Sequence, residues 1–417
     1  MFLLSRLLTH LIRVGTLTVT DAGGRRHVFS GAPGPAVAIR LHDPALPRRL
    51  FFNPSLALGE AYTDGTLTIE NGGSLYNLLD LLCLNVGRVG LHPFNRARIA
   101  IERLFRRFDQ FNPITKARAN VAHHYDLSGE LYELFLDSDR QYSCAYFRTG
   151  GEDLETAQID KKRHIAAKLL LKPGQKVLDI GSGWGGLALH LAREHGVEVT
   201  GLTLSSEQLA YAEARARREG LADRVRFALR DYRDETGIYD RIVSVGMFEH
   251  VGINHYRQFF AQIRDRLTPD GIALLHTIGR TQRPGRTDPW IRKYIFPGGY
   301  IPALSEIARA VEHTGIETTD VEILRLHYAE TLRHWRQRFL ANHARAAAIY
   351  DERFCRMWEF YLAVSEVSFR HLDSAVFQIQ MAKRRDAVPL VRDYLYGSPD
   401  SGPKLRLMPR QSDPRAA

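Results

Sequence analysis

The sequence predicts an α/β chain: a mostly parallel, seven-stranded sheet flanked by helices, preceded by a small N-terminal α+β domain. Three observations predict it. From about residue 165, apolar runs alternate strictly with helical stretches, the order that builds a parallel sheet. At residues 176–186 an apolar strand runs straight into a turn of alternating glycines, and an amphipathic helix carrying Leu187, Ala188, Leu191 and Ala192 follows. Residues 16–75, by contrast, read as short alternating strands and turns.

Taken in order, Leu4, Leu7, Leu8 and Leu11 share one helical face, with Arg6, His10 and Arg13 opposite. Such a stripe either docks on its own domain or meets a membrane surface. Thr16–Thr20 alternates, Asp21-Ala22-Gly23-Gly24 makes a turn, residues 36–40 extend again, and residues 66–70 alternate before Asn71-Gly72-Gly73. Residues 76–120 look helical and increasingly basic, a linker between domains. The chain therefore divides into an N-terminal lipid- or membrane-docking domain with its linker (1–115), a catalytic domain (116–392) and a tail (393–417) expected to be disordered, rich in Pro, Ser, Gly and Asp from Gly397.

The sheet strands are expected at 176–180, 197–202, 225–229, 240–246 and 272–278, with helices at 185–195, 206–219 and 255–267 between them. Gly196, Gly220 and Pro269-Asp270-Gly271 end those helices. A helix at 303–314, a strand at 318–325, helices at 328–343 and 346–371, and a last strand at 376–381 as an antiparallel edge complete it.

A net charge of +10 over 417 residues suits an anionic partner, although much of the excess is arginine scattered along helices, where a solvated face is the plain reading. Three cysteines without a CxxC pair argue against a disulfide framework or structural zinc and fit a reducing cytoplasm. No apolar run approaches the roughly 18–20 residues that span a bilayer, and residues 1–14 lack a cleavage signal.

The chemistry gathers at the carboxyl ends of the strands, where open α/β folds bind ligands. Glycines at 181 and 183 let a backbone approach a ligand closely, and Asp179 at the strand end places a carboxylate beside it. The second strand ends in Thr203 and Leu204, with Gln208 on the next helix, where many such folds carry a ribose-binding acid. The third ends in Arg230-Asp231-Tyr232, an acid and an aromatic able to grip an adenine, though Asp231 also suits a helix cap. Glu249 after the fourth strand and His276 on the fifth converge on the same edge. Neither has metal-ligand spacing, so no metal site is expected. Cys144 has no base assigned to it by spacing. Residues 292–300, basic and aromatic around Pro297-Gly298-Gly299, fit a mobile loop near an acyl or anionic substrate or an ordinary surface turn.

Nearly the whole chain resembles the cyclopropane-fatty-acyl-phospholipid synthases and mycolic acid cyclopropane synthases, class I S-adenosylmethionine methyltransferases with a Rossmann-like sheet. Carrying the resemblance are His124-Tyr125-Asp126-Leu127, Gln141-Tyr142-Ser143-Cys144-Ala145-Tyr146, Leu178-Asp179-Ile180-Gly181-Ser182-Gly183-Trp184-Gly185, Gly201-Leu202-Thr203-Leu204-Ser205, Met247-Phe248-Glu249-His250-Val251-Gly252, His276-Thr277-Ile278-Gly279 and Lys293-Tyr294-Ile295-Phe296-Pro297-Gly298-Gly299. The family also lacks the ribose acid.

The resemblance implies methyl transfer from S-adenosylmethionine to a cis double bond in a phospholipid acyl chain, then loss of a proton from the new methyl to close a cyclopropane. It implies a bound bicarbonate as base, at positions matching Cys144, Glu249, His276, Ile278 and Tyr328. Glu249 and His276 would orient the anion, Cys144 and Ile278 would offer backbone groups, and Glu249 would share a proton with it to avoid repulsion. The cofactor would be held by Tyr142, Ser143, Gly181, Gly183, Thr203, Leu204, Gln208 and Tyr232. Ser365 stands where many members carry a cysteine, a tolerated change because the chemistry needs no thiol, while Glu366 beside it could alter the pocket. The expected setting is peripheral, at the inner face of a membrane, with no nucleic acid; a homodimer is left open. Alternatives are a same-family enzyme giving a methyl- or methylene-branched chain, a small-molecule N- or O-methyltransferase, and a lipid-binding protein without activity.

Overall fold

In the computed structural model, residues 1–89 and 128–396 are described. The His124 segment, the basic stretch of the linker, the boundary expected at 115/116 and the tail from Gly397 lie outside the described residues.

The N-terminal domain is a four-stranded sheet with helices on one side. Its elements run α1 (Phe2–Leu11), β1 (Val14–Thr20), β2 (Arg26–Ser30), β3 (Ala32–Leu41), α2 (Leu46–Phe52), α3 (Pro54–Thr63), β4 (Leu67–Glu70) and α4 (Leu75–Val89), with strand order β2-β1-β3-β4. The β1–β2 turn forms because Asp21 Oδ1 accepts from the backbone N–H groups of Gly23 and Arg25, both at 3.0 Å. Alternation in β1 buries Leu17 and Val19. Leu4 and Leu8 of α1 pack onto that core, as a self-docking stripe does. β2, α2 and α3 were not evident from periodicity: β2 is mostly exposed, and the two helices are short and start at Leu46-Pro47 and Pro54.

The catalytic domain opens with α5 (Gly129–Glu133) and α6 (Leu154–Leu169). It continues through β5 (Lys176–Ile180), α7 (Gly186–His195), β6 (Glu198–Thr203), α8 (Ser206–Arg218), β7 (Val225–Leu229), β8 (Tyr239–Val245), α9 (Tyr256–Arg266) and β9 (Leu267–Arg280). Then come α10 (Pro289–Tyr294), α11 (Leu304–Glu312), β10 (Glu317–Leu324), α12 (His327–Ala341), α13 (His343–Ile349), α14 (Glu352–His371) and β11 (Ser374–Ala382). The seven strands lie in the order β10-β11-β9-β8-β5-β6-β7. Only β11 runs against its neighbours.

Three expectations are corrected. β11 is not an edge: it lies between β9 and β10, and all of its residues after Ser374 are buried. Pro269-Asp270-Gly271 does not separate helix from strand. It lies inside β9, where the pairing with β8 jumps from Tyr239↔Leu267 to Arg241↔Ile272, a bulge that accommodates the proline. The helix expected at 346–371 is two helices, because Asp351 caps α14 by accepting from Phe354 N at 2.6 Å.

α14 ties the domains together by packing against α12 on one side and α3 and α4 on the other. Polar contacts reinforce the joint: Tyr62 Oη donates to Glu359 at 2.7 Å, Arg353 to Asp64 at 2.9 Å, and Lys293 of α10 to Glu60 at 2.7 Å. A 3-10 turn at Arg392–Leu395 is held by Arg392 against Asp320. No helix among the described residues is long and apolar enough to cross a membrane.

Candidate active site

Two adjoining cavities occupy the carboxyl edge of the large sheet. The smaller is lined by Gly181, Gly183, Thr203, Leu204, Gln208 and Tyr232, together with Asp231, Arg233 and Met247. The larger, about 610 Å³, is lined by Tyr142, Ser143, Cys144, Glu249, His276, Ile278 and Tyr328. Gly246 and His250 line both and mark their junction.

The smaller cavity has the features of a nucleoside-cofactor cradle. Gly183 (φ +54°) and Gly246 (φ +70°) face open space where a side chain would otherwise project, and both adopt a backbone conformation that other residues resist. The turn is pinned by Gly181 N and Ser182 N, which donate to Leu202 O at 3.0 and 2.8 Å. Thr203 Oγ1 donates to Gln208 Oε1 at 2.9 Å, fixing the polar wall that replaces an acid. Asp231 caps the following turn and chelates Arg233 through both oxygens, at 2.8 and 2.7 Å. The cap expected of Asp231 is present, and the residue also lines the smaller cavity.

Asp179 lines neither cavity. It is 1 % exposed, and Oδ2 is buried without a hydrogen-bond partner. Burial pushes its pKa up to about 7, with Lys161 opposing the shift.

The larger cavity holds the Glu249 carboxyl. Glu249 sits on a 3-10 turn after β8, its carbonyl anchored by Tyr300 N at 2.9 Å. Oε1 accepts from Ile278 N at 2.6 Å, while Oε2 is buried with no partner. Burial pushes its pKa up to about 7 even though that N–H favours the anion. His276, opposite Gln378 in the β9–β11 ladder, is held neutral by burial and by the nearby cations Lys161 and Lys168. Gln378 Nε2 lies 3.1 Å from His276 Nδ1. An amide donor there leaves the imidazole proton on Nε2.

Tyr328, at the start of α12, packs its ring 4.9 Å from Phe369 and 5.8 Å from Trp335. Tyr142 stacks on Trp335 at 5.1 Å and shares a 2.8 Å hydrogen bond with Tyr361. The Cys144 thiol points its hydrogen at Ala145 O, 3.2 Å away, and burial drives its pKa far up, which disfavours a thiolate. Ser365 lines the same cavity. Glu366 does not: it is buried between Arg336 and Arg370, each 3.0 Å away.

Tyr142 and Ser143, expected on the cofactor, line the larger cavity with Glu249 and His276. Periodicity also missed Lys161, a fully buried lysine of α6 whose Nζ donates to Gln141 Oε1 at 2.7 Å and Ser143 Oγ at 2.8 Å. Burial lowers its pKa to about 8 against the pull of Asp137. Its sequence signal was a lysine placed within the helix's apolar stripe, between Ala157 and Ile165 in the spacing Leu154, Ala157, Lys161, Ile165, Leu169.

Comparison with known proteins agrees with this geometry. The sequence model described as "Mycolic acid cyclopropane synthetase" matches residues 113–379. The chain is 42 % identical over 354 residues to the cyclopropane-fatty-acyl-phospholipid synthase of Escherichia coli K12, covering 83 % of this chain and 87 % of that one. It is 36 % identical over 356 residues to the tuberculostearic acid methyltransferase UfaA1 of Mycobacterium tuberculosis, covering 82 % of each. The crystal structure of mycolic acid cyclopropane synthase CmaA1 with SAH and CTAB superposes with a TM-score of 0.61 at 34 % identity, over 66 % of this chain and 99 % of that one. The fold, the glycine cradle and these matches together place the chain in the cyclopropane synthase family of S-adenosylmethionine-dependent methyltransferases, acting in one-carbon transfer to lipid.

Proposed function

We propose that the protein transfers a methylene carbon from S-adenosylmethionine to the cis double bond of an unsaturated phospholipid acyl chain, closing a cyclopropane with bicarbonate as base at a bilayer surface. The observation that carries this reading is the course of the large cavity. It runs from Glu249, His276 and Tyr328 to Leu17, Leu41, Leu67 and Leu78, which belong to the core of the N-terminal domain. An apolar tube of this kind favours an alkyl chain by about 0.8 kcal/mol per methylene buried. A soluble amine or phenol would gain nothing from it.

Bound cofactor supplies an electrophilic methyl carbon, and an alkene is an uncharged nucleophile that needs no side-chain base for the first step. The protein's task is therefore alignment and exclusion of water, worth several kcal/mol. The rings of Tyr142 and Tyr328 border the reacting chain, and each tyrosine face near a developing cation contributes about 0.5–2 kcal/mol. Glu249 Oε2 and the His276 ring would hold a hydrogencarbonate, which supplies the base for the last proton. Glu249 at the border between its protonated and ionised forms suits the sharing of that anion's proton.

A methyl-branched product is the second reading, favoured by the likeness to a tuberculostearic acid methyltransferase over 82 % of each chain. Incubation with labelled S-adenosylmethionine and unsaturated phospholipid vesicles tests the transfer to lipid alkene that both readings share. Acyl chains heavier by one methylene unit are expected; label confined to headgroups or soluble amines would refute the lipid-alkene reading.

A further inference from the structure

The outer face of the N-terminal domain carries a feature that catalysis does not use. On α1, Phe2 is 67 % and Leu3 39 % exposed, and on the adjoining α2, Phe52 is 43 % exposed. Arg6 lies over the Phe2 ring at 4.4 Å, and Arg48 lies 5.9 Å from the Phe52 ring. Each exposed aromatic is thus accompanied by an arginine. The first 52 residues hold seven arginines and only two acidic residues, both aspartates. The inward face of the same α1 (Leu4, Leu7, Leu8 and Leu11) walls the large cavity. One helix therefore separates the exposed patch from the acyl tube.

We propose that α1 and α2 form the face by which the protein lies on an anionic bilayer, Phe2, Leu3 and Phe52 entering the interface while Arg6 and Arg48 meet lipid phosphates. This rests on the phospholipid reading of the site. Aromatic side chains with arginines beside them suit the boundary between headgroups and acyl chains, and the basic excess suits anionic lipid. A second argument is the extent of the relatives. The mycolic acid synthase CmaA1 is matched over 99 % of its own chain by 66 % of this one, and the family match begins only at residue 113. The N-terminal domain is thus an addition to a catalytic domain of shared fold, and docking on a bilayer is a task an enzyme of membrane lipids needs. Docked in this way, the bilayer lies against the wall of the cavity.

The test is sedimentation of the full chain with phosphatidylglycerol vesicles and with phosphatidylcholine vesicles. Wild-type protein should prefer the anionic vesicles and lose that preference as salt rises. The double variants Phe2→Ser/Phe52→Ser and Arg6→Glu/Arg48→Glu should each weaken binding by about tenfold or more. Turnover on the same unsaturated phospholipid dispersed in detergent micelles should stay within about twofold of wild type, since neither pair touches the reacting groups. Variants that sediment with anionic vesicles as wild type does would overturn the docking face and leave the proposed reaction standing. Wild-type protein that turns over no lipid in micelles would instead sink the reaction on which the docking face depends.

Discussion

The backbone N–H of Ile278 donates to Glu249 Oε1 at 2.6 Å, while Oε2 of the same carboxyl is buried without a partner. One strand of the sheet thereby orients a carboxyl that burial would otherwise keep neutral. The sign of the pH effect follows. The native pKa of about 7 lies above the ordinary value of 4.5, so the folded state binds more protons between those values. Stability should fall as pH rises from about 4.5 to 7, by about 3 kcal/mol from this group. Glu249→Gln keeps an acceptor for Ile278 and cannot ionise, so the variant should lack this slope and melt above wild type at pH 8. Parallel melting profiles for the two proteins would contradict the assignment.

His276→Ala and Glu249→Ala should abolish turnover while calorimetry still detects S-adenosylmethionine binding, because neither residue lines the cofactor cavity. Gln378→Leu removes the donor at His276 Nδ1 and should lower turnover about tenfold, the scale of one lost hydrogen bond to a catalytic group. Added bicarbonate should partly rescue it. Normal turnover in all three variants would remove the base site from this corner.

Lys161→Met leaves Ser143 Oγ and Gln141 Oε1 without their donor. Each orphaned buried group costs about 1–3 kcal/mol. Because both lie in the segment that carries Tyr142 and Cys144, a fall in kcat beyond what the loss of melting temperature explains is expected. Wild-type kinetics in a folded Lys161→Met protein would refute this.

Gly183→Val should abolish cofactor binding without unfolding the chain, since the added side chain fills open cavity space at a left-handed backbone position. Ser365→Cys, by contrast, should alter turnover by less than about twofold, because the cation chemistry needs no thiol nucleophile. Glu366 is already neutralised by two arginines. Equilibrium dialysis and steady-state rates check the pair.

The sheet was legible because β5, β8 and β9 carry apolar runs and the helices between strands end in glycine caps, such as Gly196 closing α7 in the left-handed conformation. Glu249 and His276 were legible from the order of the strands: Glu249 follows β8, and His276 of β9 pairs with Val245, the last residue of β8. What stayed hidden has a common cause. α6 buries Leu154, Ala157, Ile165 and Leu169 on the face that also carries Lys161, and it buries Asp160, Lys162, His164 and Lys168 as well, so polar positions that read as a solvated face are instead held by hydrogen bonds and ion pairs. β11 read as an edge because a single sequence carries no pairing partner; only the fold places β10 outside it. The division of the site into two cavities likewise depends on Tyr142 and Ser143 arriving from a loop that periodicity does not orient.

The most direct measurement uses S-adenosylmethionine bearing a fully deuterated methyl group, with unsaturated phospholipid as acceptor and mass analysis of the released acyl chains. If an alkene carbon takes the methyl and a base then removes one hydrogen from it, the acyl product carries two of the three deuterons in a new ring methylene. Two deuterons in an exocyclic methylene that takes up hydrogen on reduction would mean the methylene-branched product, three retained deuterons a methyl-branched one, and deuterium found only on headgroups or soluble amines would contradict the account.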